Sequence, residues 1–198
     1  MKIILITLVA LLLGGCTVTT PSKSEYRIAP LMEITSISES SCSDKSLKVS
    51  QAFSQSSLMN TKMKYTLDEE QELTYSESAW SRSPTRAITA ALLTSVRATN
   101  LFKIVNNYKS RSRSNLILET NIEEFIQHYE NDSTKSFVKI VISFSLVNAK
   151  TSKTIDNNTI IVELDSDSLN AQGGAAALNR ALSEVLNKNN EWLGSVCK

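Results

Sequence analysis

The chain has 198 residues, and its 21 lysines and arginines nearly balance its 20 aspartates and glutamates, so the formal net charge is +1 at pH 7. That balance argues against a strongly basic nucleic-acid-binding protein, and the length fits one domain. One histidine and the two cysteines beyond residue 16, without clustered spacing, make a poor metal site.

The first 15 residues have the organisation of a secretory signal peptide. Lys2 precedes an apolar run at residues 3–13, and Gly14 and Gly15 follow it. The run is too short to span a bilayer, which takes about 20 apolar residues. Because Cys16 comes directly after the glycines, the tetrad Leu-Gly-Gly-Cys resembles the lipobox of bacterial lipoproteins. The resemblance implies cleavage before Cys16, lipidation of its thiol and acylation of the new amino terminus. The alternative is an ordinary secreted protein with a chance cysteine at the cleavage position.

Residues 16–25 are expected to form a lipidated tether. This stretch is rich in threonine and serine and contains one proline, which favours a solvated linker. Thr17 follows the cysteine, where no aspartate stands, and the resemblance to enterobacterial lipoprotein sorting therefore implies the periplasmic face of the outer membrane. Residues 26–198 remain as a single domain.

Two cysteines are left after the anchor, Cys42 and Cys197. The compartment that the signal peptide implies permits disulfides, and two thiols allow one intramolecular pairing. That bond would attach the last helix to the start of the domain. The alternative is a pair of free thiols.

Short extended segments are predicted at residues 26–28, 47–53, 58–67 and 73–75, with an acidic turn at 68–72. The first clear helix begins at Ser83 and Pro84, because serine suits the N-cap and proline the first helical position. It ends at Asn100, and a strand is predicted at 101–105.

Three strands in an antiparallel meander follow, at residues 116–126, 137–147 and 154–164. A final helix is predicted from Gly174 to Trp192, with Asn189 on its otherwise apolar face. The order of elements predicts an α/β fold of the α+β kind: one mixed, largely antiparallel sheet with two main helices packed on it.

No catalytic site and no cofactor are predicted, and the chain is not expected to be an enzyme. His128 is expected to be a solvated residue at a strand edge. Glu123 and Glu124 are adjacent on a strand, so their side chains should point to opposite faces and should not work as an acid and base pair.

Two other patterns leave alternatives open. The run Lys109-Ser110-Arg111-Ser112-Arg113 is typical of a solvated turn, with a phosphate site as the second interpretation. Gly173 and Gly174 precede a helix and indicate either a flexible helix start or an anion-binding amino terminus.

Four features of the chain occur in the order found in one family. The lipobox is followed by a short strand with Tyr26. Tyr65 precedes Trp80 and a helix opened by Ser-Arg-Ser-Pro, and residues 101–105 lead into 116–126. Finally, the meander is followed by an alanine-rich helix that ends at Trp192-Leu193. Together they resemble the ABC-type transport auxiliary lipoproteins, a family that includes the paraquat-inducible protein C-like lipoproteins. The resemblance covers nearly all of residues 25–195. The serine-rich loop at 36–46 and the possible disulfide depart from the pattern.

The resemblance implies a non-enzymatic subunit of an intermembrane phospholipid transport system. In such systems a permease and an ATPase in the inner membrane work with a mammalian-cell-entry domain protein that spans the periplasm. The lipoprotein would dock that protein at the outer membrane, held to the membrane by its lipid anchor. Tyr75, Trp80 and the acidic loop at 68–72 are candidate partner contacts, although Trp80 also suits a core position over the first helix.

The sequence leaves two further functions open. A periplasmic carrier would bind a phospholipid acyl chain itself, in a dry cavity between helix and sheet. A structural lipoprotein of envelope assembly would need no cargo. A hydrolase ranks last, because no nucleophile motif or nucleotide-binding motif occurs.

Overall fold

The computed structural model describes residues 22–32, 40–68, 71–130 and 134–198. The predicted signal peptide, Cys16 and most of the tether lie outside the described residues, as do parts of the serine-rich loop and of the acidic turn. The described elements are a 3₁₀ helix at Ser56–Met59, the strands β1 (Ser24–Tyr26), β2 (Ser46–Val49), β3 (Phe53–Ser54), β4 (Lys62–Leu67), β5 (Gln71–Trp80), β6 (Ile104–Asn107), β7 (Leu116–Tyr129), β8 (Ser136–Asn148) and β9 (Lys153–Asp165), and the helices α1 (Pro84–Ala98) and α2 (Ala171–Val196).

The long strand β7 is the centre of one mixed sheet. On one edge it pairs with β8, and β8 pairs with β9, all antiparallel. On its other edge β7 pairs in turn with β2, β3 and β4, all parallel to it. Beyond β2 lies β6, and beyond β4 lie β5 and then β1. The predicted fold class, a mixed sheet with two helices, is confirmed.

Both helices cover the same face of the sheet, which we call the helix face. Every second residue of β8 is buried there, namely Val138, Ile140, Ile142, Phe144 and Leu146. This alternation follows from the two-residue period of a strand with one buried side. We call the opposite side, on which no described helix lies, the open face.

Helix α1 begins where Ser83 and Pro84 predict it, and it buries Ile88, Leu92 and Val96 against the sheet. Asn100 ends the helix in the left-handed region, at φ 58°, a conformation that asparagine tolerates better than most residues.

Helix α2 is longer than predicted at both ends. The side chain of Asn170 caps it by accepting a hydrogen bond from the Gly173 N–H at 2.9 Å. The two helices touch through the Asn190 amide, which donates to the Ser95 hydroxyl at 2.8 Å.

Several predicted strand boundaries were wrong. The segment at 47–53 is two short strands, β2 and β3, and the segment at 58–67 is the 3₁₀ helix followed by β4. Leu101 and Phe102 are buried in the turn after α1, and their strand β6 begins only at Ile104. At 101–102, two apolar residues that fill the core from a turn were taken for strand residues.

Cys42 and Cys197 are joined in the structure, with their sulfurs 2.10 Å and their Cα atoms 5.4 Å apart. Both residues are buried, and the Ser41 N–H donates to the Cys197 carbonyl at 2.7 Å. The bond attaches the end of α2 to the loop before β2 across 155 residues of sequence.

The double variant Cys42→Ser/Cys197→Ser, made in a chain that starts at residue 16 and carries Cys16→Ser, should lose about 2–5 kcal/mol of unfolding free energy. The bond restricts the unfolded chain over a long loop, and urea denaturation measures the loss. Dithiothreitol should destabilise the parent chain and leave the double variant unchanged. Equal stability of the oxidised and reduced parent would contradict the bond.

Candidate functional site

The sheet has a gap beside the middle of β7. The pairing of β7 with β3 ends at Ile122, and its pairing with β4 begins at Gln127. Among the described strands, none pairs with the intervening residues on that edge. A cavity of about 170 Å³ lies there, walled by β4, β7 and the 3₁₀ helix. The gap is the clearest candidate site in the described part of the chain.

A β-bulge in β7 brings two carboxylates to this cavity. The register with β8 shifts between Ile122 and Glu124, so Glu123 is an extra residue. Glu123 accepts a hydrogen bond from the Ser143 hydroxyl at 2.5 Å, and Glu124 contacts His128 at 2.7 Å, both on the open face. The prediction that the two carboxylates face opposite sides was therefore wrong, because strict alternation fails at a bulge.

His128 is not a solvated edge residue, as the sequence suggested. It lies on the central strand, its Nδ1 is 2.6 Å from the Thr66 hydroxyl, and its Nε2 is 2.7 Å from Glu124. The imidazole also stacks on Phe137, with the ring centres 5.0 Å apart. Both ring nitrogens are thus engaged by partners that fix the ring's orientation.

Glu124 belongs to a chain of charges across the open face. Its second carboxylate oxygen is 3.6 Å from Lys139, which in turn lies 3.5 Å from Glu163. Burial acts to raise the pKa of the Glu124 carboxyl, but the hydrogen bond with His128 and the charge of Lys139 outweigh it and lower that pKa. The carboxylate is held ionised, as suits a fixed structural charge.

The cavity also has two lysines on its β4 wall. Lys64 forms an ion pair with Glu72, whereas the Lys62 ammonium has no ion-pair partner within the described ranges. No group of three or more His, Cys, Asp or Glu side chains among the described residues is placed to hold a metal ion. The cavity can bind a small polar group. Its histidine, His128, is hydrogen-bonded to Glu124.

Trp80, predicted as a partner contact or a core residue, is 3% exposed. Its ring centre lies 5.7 Å from that of Phe125, and both side chains also border the cavity. The burial favours the core position, and a role in partner binding stays a prediction.

Tyr75, the other predicted partner contact, lies in a cluster of tyrosines. Its hydroxyl is 2.8 Å from the Gln127 carboxamide oxygen and 2.7 Å from the Tyr129 hydroxyl, and its ring lies 4.5 Å from Tyr65. Burial, followed by the hydrogen bond with Tyr129, raises the pKa of the Tyr75 hydroxyl far above its ordinary value. The side chain therefore stays neutral and donates to Gln127, and whether it contacts a partner stays a prediction.

The two glycines at the start of α2 are explained by close packing. A Cβ atom at Gly174 would lie 1.9 Å from the Gln127 side-chain oxygen, and one at Gly173 would lie 2.4 Å from the Ser168 hydroxyl. A side chain at Gly174 would force Gln127 or the helix to move, and one at Gly173 would collide with Ser168 in the turn before α2. The close approach of backbone to side chain accounts for the pair without an anion site.

The predicted site residues therefore do not form one site. The disulfide lies beside the start of β2, Tyr75 in the tyrosine cluster and Trp80 in the core, while Cys16 lies outside the described residues. The group that the structure does bring together is Glu123, Glu124 and His128. The adjacent glutamates and the histidine four residues later were visible in the sequence, but the bulge that turns both carboxylates to one face was not.

Comparison with known proteins shows a shared fold. No family model matches the chain, and no curated protein matches it. A protein of Xanthomonas campestris from the family described as DUF330 superposes with a TM-score of 0.75 at 16% identity, over 88% of this chain and 94% of its own. An uncharacterised protein of known structure gives 0.67 at 16% identity, over 87% and 99% of the two chains. At these identities the likeness concerns the fold alone.

A more distant structure is the PelC dodecamer from Paraburkholderia phytofirmans, with a TM-score of 0.46 at 13% identity over 77% of this chain and 90% of that one. This likeness is too low to support an argument. Separately, no helix in the described ranges is both long and apolar enough to cross a membrane.

Glu124→Gln should lower the free energy of unfolding by about 1–3 kcal/mol at pH 7, because it removes a hydrogen bond to a charged group. The folded-state pKa lies below the ordinary value of 4.5, so the ionised carboxylate stabilises the fold fully above that value. The stabilisation is lost as the pH falls through the lowered pKa. Urea denaturation between pH 7 and pH 3 should show the difference shrinking with acid.

Glu119→Gln is the matched control, because Glu119 is exposed on the same strand. It should change stability by less than about 0.5 kcal/mol. A loss in Glu124→Gln that stayed constant down to pH 3 would contradict the electrostatic explanation.

Proposed function

We propose that the protein is a non-enzymatic lipoprotein subunit of an ABC-type intermembrane phospholipid transport system, which docks a periplasm-spanning mammalian-cell-entry domain protein at the outer membrane. The observation that carries the proposal is the lipobox tetrad ending at Cys16, placed directly ahead of a domain with the fold described above. The order of elements that suggested the family agrees with the observed sheet and helices.

The distance from the proposed anchor to the sheet is short. Ser24, the first residue of β1, comes eight residues after Cys16, and eight residues span at most about 28 Å. The chain after β1 is then fixed by Asn179 of α2, which donates to the Arg27 carbonyl at 3.0 Å and accepts from the Ala29 N–H at 2.7 Å. An anchor at Cys16 would thus hold the folded domain close to the membrane surface.

A binding role agrees with the site geometry better than catalysis. Glu124 and His128 contact each other, Glu124 also contacts Lys139, and His128 also contacts Thr66. Their protons and charges are therefore engaged by partners within the protein. A general base needs a free lone pair directed at a substrate. Glu123 is exposed in the same cavity, yet its nearest described partner is the Ser143 hydroxyl, which also contacts Thr159.

The carrier alternative is less well supported by the packing. It needs a dry space between α2 and the sheet, where the helix places the small buried residues Ala171, Gly174, Ala175, Ala177 and Ala181. Gly174 lies so close to Gln127 that even a methyl group would collide. A structural role in envelope assembly has no observation that favours it over docking.

The first prediction concerns the anchor. Cys16→Ser should abolish incorporation of labelled palmitate and leave the chain at its unprocessed size, because the thiol is the proposed site of acylation. Cys42→Ser/Cys197→Ser is the matched control and should keep the label, since those sulfurs are bonded to each other. Labelled Cys16→Ser would refute the anchor.

The second prediction concerns the partner. The chain from residue 16, which contains every described strand and helix, should bind the periplasmic part of a mammalian-cell-entry protein encoded by the same organism. Co-purification and light scattering of the mixture measure the complex. Binding of phospholipid by the isolated chain, seen by mass spectrometry without any complex, would favour the carrier instead.

A further inference from the structure

Charge is segregated along this chain although the total is nearly balanced. Residues 78–118 contain no aspartate or glutamate and include seven cations, namely Arg82, Arg86, Arg97, Lys103, Lys109, Arg111 and Arg113. Residues 45–67 likewise contain four lysines and no acidic residue. The basic run at 109–113, which the proposed site does not use, is part of this larger pattern.

The fold gathers cations from three segments at one end of the sheet. Lys48 of β2, Arg113 before β7 and Lys150 in the turn after β8 line a groove of about 440 Å³, together with Ser114, Ile117 and Ala149. No carboxylate lines this groove among the described residues. We call Lys48, Lys109, Arg111, Arg113 and Lys150 the basic end.

The cations of the groove are positioned on ordered backbone. The Lys48 ammonium donates to the Ser110 carbonyl at 3.2 Å and so holds the loop between β6 and β7. The Asn148 side chain accepts hydrogen bonds from the N–H groups of Lys150 and Thr151, which fixes the turn between β8 and β9. Arg113 and Lys150 have no ion-pair partner within the described part of the chain, so their charges are available to a ligand.

Several acidic residues lie toward the opposite end of the sheet, which we call the acidic end. Strand β9 runs in the same direction as β7, so its last residue, Asp165, lies level with His128 near the end of β7, and Glu130 directly follows that strand. Glu163 and Asp167 flank Asp165. Glu163 and Asp167 are paired there with Lys139 and Arg180, whereas Arg113 and Lys150 at the basic end have no such partner among the described residues.

The segment that leads to the proposed anchor enters near the acidic end. β1 pairs with the last residues of β5, and Ala79 of β5 pairs with Lys62 of β4. Lys62 is three residues before Tyr65, which pairs with Gln127, so β1 lies level with the bulge in β7. Leu116 lies about eight residues, or roughly 26 Å, back toward the start of β7, and the basic end lies beyond it.

We propose that the basic end is the docking surface and that it binds an acidic surface of the partner protein. This inference rests on the proposed function and adds the binding face and the chemistry of the partner. A tether that leaves from the side of the bulge and the acidic end directs the basic end away from the anchoring membrane, toward the periplasm. Complementary charge speeds association of two proteins and fixes their orientation, and its effect falls with salt.

The experiment compares two variants with the same change in net charge. Arg113→Gln/Lys150→Gln removes two cations of the groove, and Arg86→Gln/Lys188→Gln removes two exposed cations from the helix layer. In the chain from residue 16, binding to the mammalian-cell-entry protein at 50 mM salt should weaken at least tenfold in the first variant and less than twofold in the second. The gap should shrink at 500 mM salt.

The outcomes separate this inference from the proposed function. No binding by the parent chain defeats the proposed function itself. Binding by the parent that is weakened equally by both variants, or by neither, overturns the basic end as the docking surface and leaves the function standing. Vesicles containing phosphatidylglycerol in phosphatidylcholine provide the last arm. If the groove variant loses only vesicle binding, the surface recognises lipid phosphates and the inference is wrong. Unchanged melting temperatures ensure that both variants are folded.

Discussion

The pairing of β7 along its whole length is the constraint on which the rest of the structure depends. One edge carries the continuous antiparallel strand β8, while the other edge is shared among β2, β3 and β4. Three short parallel partners do not fill an edge of fourteen residues, and the gap between the second and third partner becomes the cavity. The site is therefore a consequence of how the strands are divided along one edge.

The bulge at Glu123 determines which polar side chains lie beside this gap. Before the bulge, Leu116, Leu118 and Ile122 face the helices; after it, Phe125 and Gln127 do. The alternation of residues that face the helices shifts by one position at the bulge. This shift keeps apolar or hydrogen-bonded side chains under α2 and turns both glutamates to the open face. Gln127 then contacts Tyr75 and Ser136 on the helix face, where Gly174 leaves room for it.

The sequence predicted the parts of the fold that rest on long periodic patterns. The two helices, the meander and the single mixed sheet all follow from apolar spacing, and the start of α1 follows from Ser83 and Pro84. The short strands were misplaced because two to four residues carry too little periodicity. His128 was misjudged because its partners, Thr66 and Phe137, come from two other strands. The local spacing of residues does not predict the register between distant strands.

Unlike the register between distant strands, the order of charged residues can be read directly from the sequence. The absence of acidic residues from 78 to 118 is visible in the sequence, but the net charge of the whole chain does not show this segregation. The fold then adds Lys48 and Lys150 from segments far away in sequence. Lys48 also holds the loop between β6 and β7, whereas Arg113 and Lys150 have no ion-pair partner among the described residues. The fold gathers unpaired cations at the end remote from its proposed anchor, where they repel one another. A ligand of opposite charge would relieve this repulsion, and this is the physical reason for assigning that end to a partner.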